Sequence, residues 1–320
     1  MKQKRIAIQL FGHLRTYKEC HKSLLEKIAK SNEKNGYEVD IFIHSWNTLN
    51  QENNRSGFVS DDLVKEFGDS KTEEISRLYK AKKVLIEEQK TIKNQKIKLL
   101  LNEKQGDIIF LDSKNVYNMY HSIFKVNELR KEYESENNIE YDFVIQTRPD
   151  IIFMQDLNID EIIKYSKDRK YISKHLRNIT YENGDLPVFL GFWADFPRIS
   201  NIESSAVWAN DLLAFSSPKI MNKLNSLALN FEEEINKPFW NHESFWTNWI
   251  NKNKIEIQLL PYILGRQFAI KLFNPHGKIM SLFIKLQDLI KYITYNALCF
   301  MTLFLVKSFK DKVVKYAKKL

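Results

Sequence analysis

Apolar and polar positions alternate along this chain in a way that places strands and helices in turn. Arg5–Leu10 (RIAIQL) is a short apolar run that breaks into the polar loop FGHLRT. This predicts a strand followed by a loop. From Tyr17 to about Asn35 the apolar residues Leu24, Leu25, Ile28 and Ala29 recur at helical spacing, and Gly36 stands where such a helix would stop. Val39–Trp46 (VDIFIHSW) reads as a second strand and Lys82–Gln89 as a third. Between them, residues 51–79 are polar and read as an irregular, partly helical insert. The lysine-rich stretch to about Lys104 reads as helix, Ser113–Ser135 as a long helix, and Tyr141–Ile145 as the next strand.

Strands that alternate with helices predict an α/β domain with a mixed, mainly parallel central sheet. Beyond Asp150 the alternation loosens. Strand-like pieces appear in KYISKHL, PVFLGFWADF, LLAFSS and KIEIQLLPYIL, with helices near Pro218–Asn230 and Asn241–Asn251. No linker separates the two halves, so the expectation is one domain over residues 1–272 and a helical tail over 273–320.

Three strand ends carry polar residues where an apolar run stops: FGHLRT, HSWN and TRPD. Ligands of open α/β sheets sit beyond the carboxyl ends of the parallel strands. The topology therefore gathers Gly12, His13, Arg15, His44, Trp46, Arg148 and Asp150 along one edge. A glycine lets the backbone approach a ligand. Arginines match phosphate through paired hydrogen bonds, and a carboxylate is a ligand for a hard divalent cation. The combination suits a nucleotide diphosphate. The bland reading of Arg148 and Asp150 is an ion pair at a strand end, and that of His44 and Trp46 is packing.

The stretches RIAIQLFGHLRT, VDIFIHSWN, YHSIFKVNELRKEYE, YDFVIQTRPDIIF and ANDLLAFSSPKIM, in that order, resemble landmarks of bacterial glycosyltransferase-like proteins from capsule and lipopolysaccharide loci. The resemblance covers about residues 5–225. It implies a Rossmann-like type A glycosyltransferase fold and a nucleotide-sugar donor. It also implies an Arg-x-Asp in place of the usual Asp-x-Asp, with Mn2+ or Mg2+ as a candidate cofactor at Asp150. Position by position, Gly12, Arg15 and Thr16 match the first motif, Asp40, His44 and Trp46 the second, Arg148 and Asp150 the third, and Asp211 and Ser216 the last. Phe11, Gln146 and Ser216 stand where serine, arginine and glycine are common.

Transfer with inversion needs a base for the acceptor hydroxyl. Asp211 in WANDLLAF and Glu243 in FWNHESFWTNW are the candidates. The aromatics around Glu243 read either as a sugar platform or, for Trp246, Trp249 and Ile250, as the buried stripe of a helix. Asp40 reads as a backbone-bonding residue, and Lys125 and Asn127 as surface.

Composition changes the picture in two places. The net charge of +9 raises nucleic acid as a partner, but the lysines are dispersed and no nucleic-acid motif is present. The local excess is at the end of the chain, where Lys307, Lys310, Lys312, Lys315, Lys318 and Lys319 face a single Asp311. Before them, Tyr292–Val306 is an uncharged run of 15 residues. As a helix it would span about 22 Å, short of a hydrocarbon core of about 30 Å. An interfacial helix with a basic second signal is expected, which holds the protein on the inner face of the cytoplasmic membrane beside a glycan or lipid-linked acceptor. The alternative is a helix packed on the domain or on a partner. Cys20 and Cys299 form no metal or disulfide pattern, and MKQKRIAIQL lacks the apolar core of a signal peptide, so a cytoplasmic location is expected. Two other functions fit the same cleft: a non-catalytic nucleotide- or glycan-binding subunit, and a phosphotransferase acting on the same glycan.

Overall fold

A computed structural model describes residues 3–49, 69–90, 92, 96–102, 107–167, 188–193, 212–235, 242–255, 257–264 and 268–270. The chain divides into two units, Met1–Leu272 and Phe273–Leu320. The second lies outside the described residues, as do the predicted strand KYISKHL and the first part of the insert.

The first unit is mixed α/β. Strand β1 (Arg5–Leu10) leads to helix α1 (Tyr17–Leu24), which passes through a π-helical turn, Leu25–Ala29, into α2 (Lys30–Glu33). Then come β2 (Glu38–Trp46), α3 (Asp69–Tyr79), β3 (Lys83–Glu87), β4 (Lys96–Asn102), β5 (Asp107–Asp112), α4 (Ser113–Asn137), β6 (Phe143–Thr147), β7 (Ile151–Phe153) and α5 (Ile159–Lys167). The last part contains β8 (Val188–Trp193), β9 (Leu213–Ser216), α6 (Pro218–Asn225), a 3-10 turn (Ser226–Asn230), α7 (Phe231–Glu234), α8 (His242–Lys252), β10 (Ile257–Leu264) and β11 (Phe268–Ile270).

The sheet runs β3-β2-β1-β6-β9-β8-β10-β11-β7. Strands β3, β2, β1 and β6 are mutually parallel, and β9 pairs antiparallel to β6. Only a few residues separate β6 from β7, yet these strands stand apart in the sheet order, with β7 antiparallel to β11. So short a connection spans no more than about 14 Å, so the far edge of the sheet curls back toward the end of β6.

Alternation along the strands builds two cores. Ile6, Ile8, Leu10, Ile41, Ile43 and Ile145 face one side, where Leu24 and Ile28, Ile75 and Tyr79 of α3, and Ile159 and Ile162 of α5 cover them. Ala7, Phe11, Phe42, Val144 and Ala214 face the other, beneath Val116, Tyr120 and Ile123 of α4 and the residues of α6 and α8. A strand turns successive side chains to opposite faces, so a strand between two helical layers is apolar throughout.

Two expectations change. The lysine-rich stretch before residue 104 is strand, paired antiparallel with β5 from Lys96↔Asp112 to Asn102↔Asp107. Its Lys-Ile-Lys-Leu alternation has period two, and β5 offers the short apolar run Ile108–Leu111 between two aspartates, so pattern outweighs the helix propensity of lysine and leucine. The helix after Tyr17 is not continuous α-helix, because its middle widens into the π turn. Among the described residues, no helix is long and apolar enough to cross a membrane.

Candidate functional site

Residues 11–16 leave the carboxyl end of β1 and must turn at once. Phe11 still donates its backbone N–H to Thr147 O at 3.2 Å, which extends the ladder to β6. Gly12 then takes φ +87°, a left-handed conformation natural to glycine. A Cβ placed there would meet nothing within 4 Å, so the requirement is conformational, not steric. The Gly12 N–H turns into the α4 layer and donates to Ser122 Oγ at 2.7 Å.

Ser122 Oγ also lies 2.7 Å from His44 Nδ1, and His44 Nε2 lies 3.0 Å from Glu87 Oε1. These distances assign the protons. The ionised Glu87 carboxylate can only accept, so the neutral His44 carries its proton on Nε2, donates to Glu87, and accepts at Nδ1 from Ser122, whose oxygen also accepts from Gly12. His121 Nε2 reaches the same carboxylate oxygen at 3.0 Å, and Lys90 Nζ reaches Oε2 at 2.9 Å. The bond from His44, with those from Lys90 and His121, holds the Glu87 carboxyl well below its usual range despite partial burial. Burial lowers the pKa of both His44 and His121, against the pull of Glu87. Both imidazoles are therefore neutral donors at pH 7. The chain of bonds from Gly12 through Ser122 and His44 to Glu87 fastens the loop after β1 to the ends of β2 and β3.

The second cluster is cationic. Arg148 follows β6 and grips Asp150 with one edge of its guanidinium, Nε to Oδ1 at 2.9 Å and Nη2 to Oδ2 at 2.6 Å. Arg15, at φ 44° in the loop after β1, brings an Nη within 2.9 Å of Asp150 Oδ2. Asp150 is fully buried, whereas the two arginine side chains keep 19% and 18% of their exposure. Burial alone would raise the Asp150 pKa, but Arg148 and Arg15 together hold it below the ordinary carboxylate value.

Beside these arginines lies a cavity of about 180 Å³, lined by Phe11, Gly12, His13, Arg15, Trp46, Gln89, Asn115, Asn118, Met119 and Arg148. His13 places Nδ1 3.2 Å from Thr48 O and Nε2 2.9 Å from Gln89 Nε2. It therefore donates through Nδ1 and accepts through Nε2. Burial, with the nearby Arg15, lowers its pKa to about 3. Asn118 is spent on the backbone, accepting from Lys90 N and donating to Lys90 O and Lys114 O. A larger groove of about 990 Å³ opens at the opposite edge, among Arg5, Arg130, Tyr141 and Lys219. The smaller cavity is the better candidate, because it lies beyond the carboxyl ends of the parallel strands and both clusters converge on it.

Of the residues singled out from sequence, Gly12, His13, Arg15, Trp46 and Arg148 meet in this cavity. His44 and Asp150, both fully buried, stand behind it as supports. Thr16 is buried at the start of α1, where its backbone carbonyl accepts from Glu19 and Cys20. Asp211 lies outside the described residues, and Glu243 is placed only as a position in the first turn of α8. Trp246, Trp249 and Ile250 of that helix are core, which favours the buried-stripe reading for these three over the sugar platform. Asn127, expected at the surface, is buried and accepts from Gln9 Nε2 at 3.1 Å. Asp40 is tied to the Tyr141 hydroxyl at 2.7 Å. The sequence reading missed Glu87, Gln89, Asn115 and Ser122. The available signal was the spacing of Asn118 and Ser122, four residues apart and so on one face of the helix, beside the apolar Val116, Tyr120 and Ile123.

A divalent cation at Asp150 does not fit the residues present. Both carboxylate oxygens are taken by guanidinium donors, and a cation would have to share that buried point with two positive charges. Among the described residues, no group of three His, Cys, Asp or Glu side chains could hold a metal ion.

No protein-family model matches the chain, and no curated protein matches it at a significant level.

Proposed function

We propose that this chain is a glycosyltransferase that moves a sugar from a nucleotide-sugar donor to a growing bacterial surface glycan. The observation that carries the reading is the convergence of Arg15 and Arg148 on one buried carboxylate, beside a cavity at the carboxyl edge of a parallel sheet. Guanidiniums on that edge suit the diphosphate of a donor, and the order of the five sequence landmarks supports the same family and a type A fold. A volume of about 180 Å³ suits one ring of a ligand, since a cavity of about 150 Å³ accepts benzene. The remainder of a donor would extend along the open edge.

Their roles in this reading follow from position. Gly12 brings the backbone close to the phosphates, Arg15 and Arg148 neutralise them, and Trp46 walls the ring-sized end. Asp211 and Glu243 remain the candidates for the base that takes the acceptor proton. The basic segment beyond residue 272 is proposed as the membrane-surface attachment that brings the enzyme to a lipid-linked acceptor.

The test is thermal stability of the full chain against a panel of nucleotide sugars, followed by nucleotide release with the donor that binds. A ligand that binds only the folded state raises apparent stability by mass action. Binding without turnover on any glycan acceptor would point to a non-catalytic subunit. A product heavier by a phosphoryl group instead of a sugar would identify a phosphotransferase.

A further inference from the structure

On the reading that the cleft takes a nucleotide diphosphate, we infer that it does so without a divalent cation: the guanidinium pair that Asp150 orients stands in the place of the metal. The sequence position that invites a metal is Asp150, and among the described residues its carboxylate accepts three hydrogen bonds. Oδ1 accepts from Arg148 Nε at 2.9 Å, and Oδ2 accepts from Arg148 at 2.6 Å and Arg15 at 2.9 Å. A carboxylate offers about four lone-pair positions, and three are used. The residue has no exposed surface, so an ion at the fourth would be cut off from water on that side. Magnesium sheds its waters reluctantly and usually keeps several of them, so such a point is a poor seat for it.

The alternative use of Asp150 is coherent. Arg148 is only two residues away in sequence, and Arg15 comes from the loop after β1. One buried carboxylate therefore fixes two cationic side chains from different strand ends in a single geometry. Both remain partly exposed and both line the cavity, while the carboxylate does not. A planar guanidinium matches the oxygens of a phosphate in pairs, so two of them held at fixed positions supply the charge that a metal would bring to the departing nucleotide. Pre-positioned cations need no rearrangement as charge builds on the leaving diphosphate.

The experiment is calorimetric titration of the full-length protein with UDP, CDP, GDP and ADP, each in excess EDTA and again with free Mn2+ in place of the EDTA. At least one nucleotide should bind in EDTA, with affinity within about threefold of its value in Mn2+. Arg148→Gln should weaken that EDTA-stable binding by roughly 10-fold or more, as loss of a charge-assisted contact predicts. A circular dichroism spectrum and melting curve on the same variant distinguish lost binding from lost fold, and Arg15→Gln provides an independent variant. Binding that appears only with Mn2+ would overturn the inference and leave the donor reading intact. No binding by any nucleotide under either condition would overturn both. EDTA-stable binding that is unchanged in both folded arginine variants would also overturn it.

Discussion

Ser122 and His44 are joined by a hydrogen bond of 2.7 Å between two fully buried side chains, one on α4 and one on β2. The same serine oxygen receives the N–H of Gly12. One hydroxyl thus satisfies a backbone donor of the cleft loop and sets the tautomer of a core histidine. Ser122→Ala removes the partner of both groups at once. An orphaned buried polar group costs about 1–3 kcal/mol, so with two such groups the variant should lose about 2–6 kcal/mol of unfolding free energy. Urea unfolding with an unchanged m-value is the measurement. A loss below about 0.5 kcal/mol would mean that water replaces the hydroxyl.

Asp150→Asn should also destabilise the fold, by about 3–5 kcal/mol, because it strips a buried counter-charge from two arginines. The acid dependence has a definite sign. The folded pKa of Asp150 lies below its ordinary 3.8, so its stabilising contribution is complete above about that pH and is lost as the pH falls through the lower, folded value. The wild-type protein should therefore shed this increment only below about pH 4. The variant should lack that part of the acid transition, which a comparison of unfolding midpoints between pH 5 and pH 2.5 detects.

His13 governs a different window. Unfolded, it binds its proton near pH 6.5, whereas in the fold it resists protonation down to about 3. Between those values the unfolded chain holds more protons, so stability rises with pH across the window and is complete above it. The slope from one such histidine is at most about 1.4 kcal/mol per pH unit. The lowered pKa values of His44 and His121 act in the same direction. His13→Asn keeps a side-chain N–H for Thr48 O and removes the titration, so its stability should depend less steeply on pH between 4 and 6. An unchanged slope would place the titration at the other two histidines.

Much of the frame was legible because its periods are strong. Arg5–Leu10 and Val39–Trp46 are apolar runs bounded by polar loops, and both are strands almost to the residue. The helix over Ser113–Asn137 follows from its 3.6-residue repeat. The hairpin of β4 and β5 was hidden by residue types that also make good helices. The π turn at Leu25–Ala29 has no signature in composition. At the site, Gly12, His13, Arg15, Trp46 and Arg148 could be gathered because each directly follows or ends a strand that topology brings to one edge. Ser122 and Asn115 sit on a helix, and Gln89 in a loop, so which way they face depends on tertiary packing. Asp150 was visible as a charge in a strand connection, but its partner Arg15 is 135 residues away and only the fold brings them together.

Gln146 supplies the last prediction, and its direction is unusual for a core substitution. It lies on β6 opposite Gln9 on one side and Ala214 on the other, and is 1% exposed. Gln9 satisfies its amide through Asn127 at 3.1 Å and Asn225 at 3.4 Å. Among the described residues, neither Nε2 nor Oε1 of Gln146 has a hydrogen-bond partner. Its apolar neighbours are Ala214 across the strand and Val144 two residues before it, both in the same core as Phe42. Methionine has nearly the same length and volume and no group to desolvate. Gln146→Met should therefore stabilise the protein by about 1–3 kcal/mol, the cost of an unmet buried amide, read as a raised urea midpoint. A drop in stability would mean that the amide is hydrogen-bonded in solution. Nucleotide titration of the same variant then separates the two partners: affinity that falls while stability rises assigns the amide to the ligand, and stability that falls at constant affinity assigns it to a buried water.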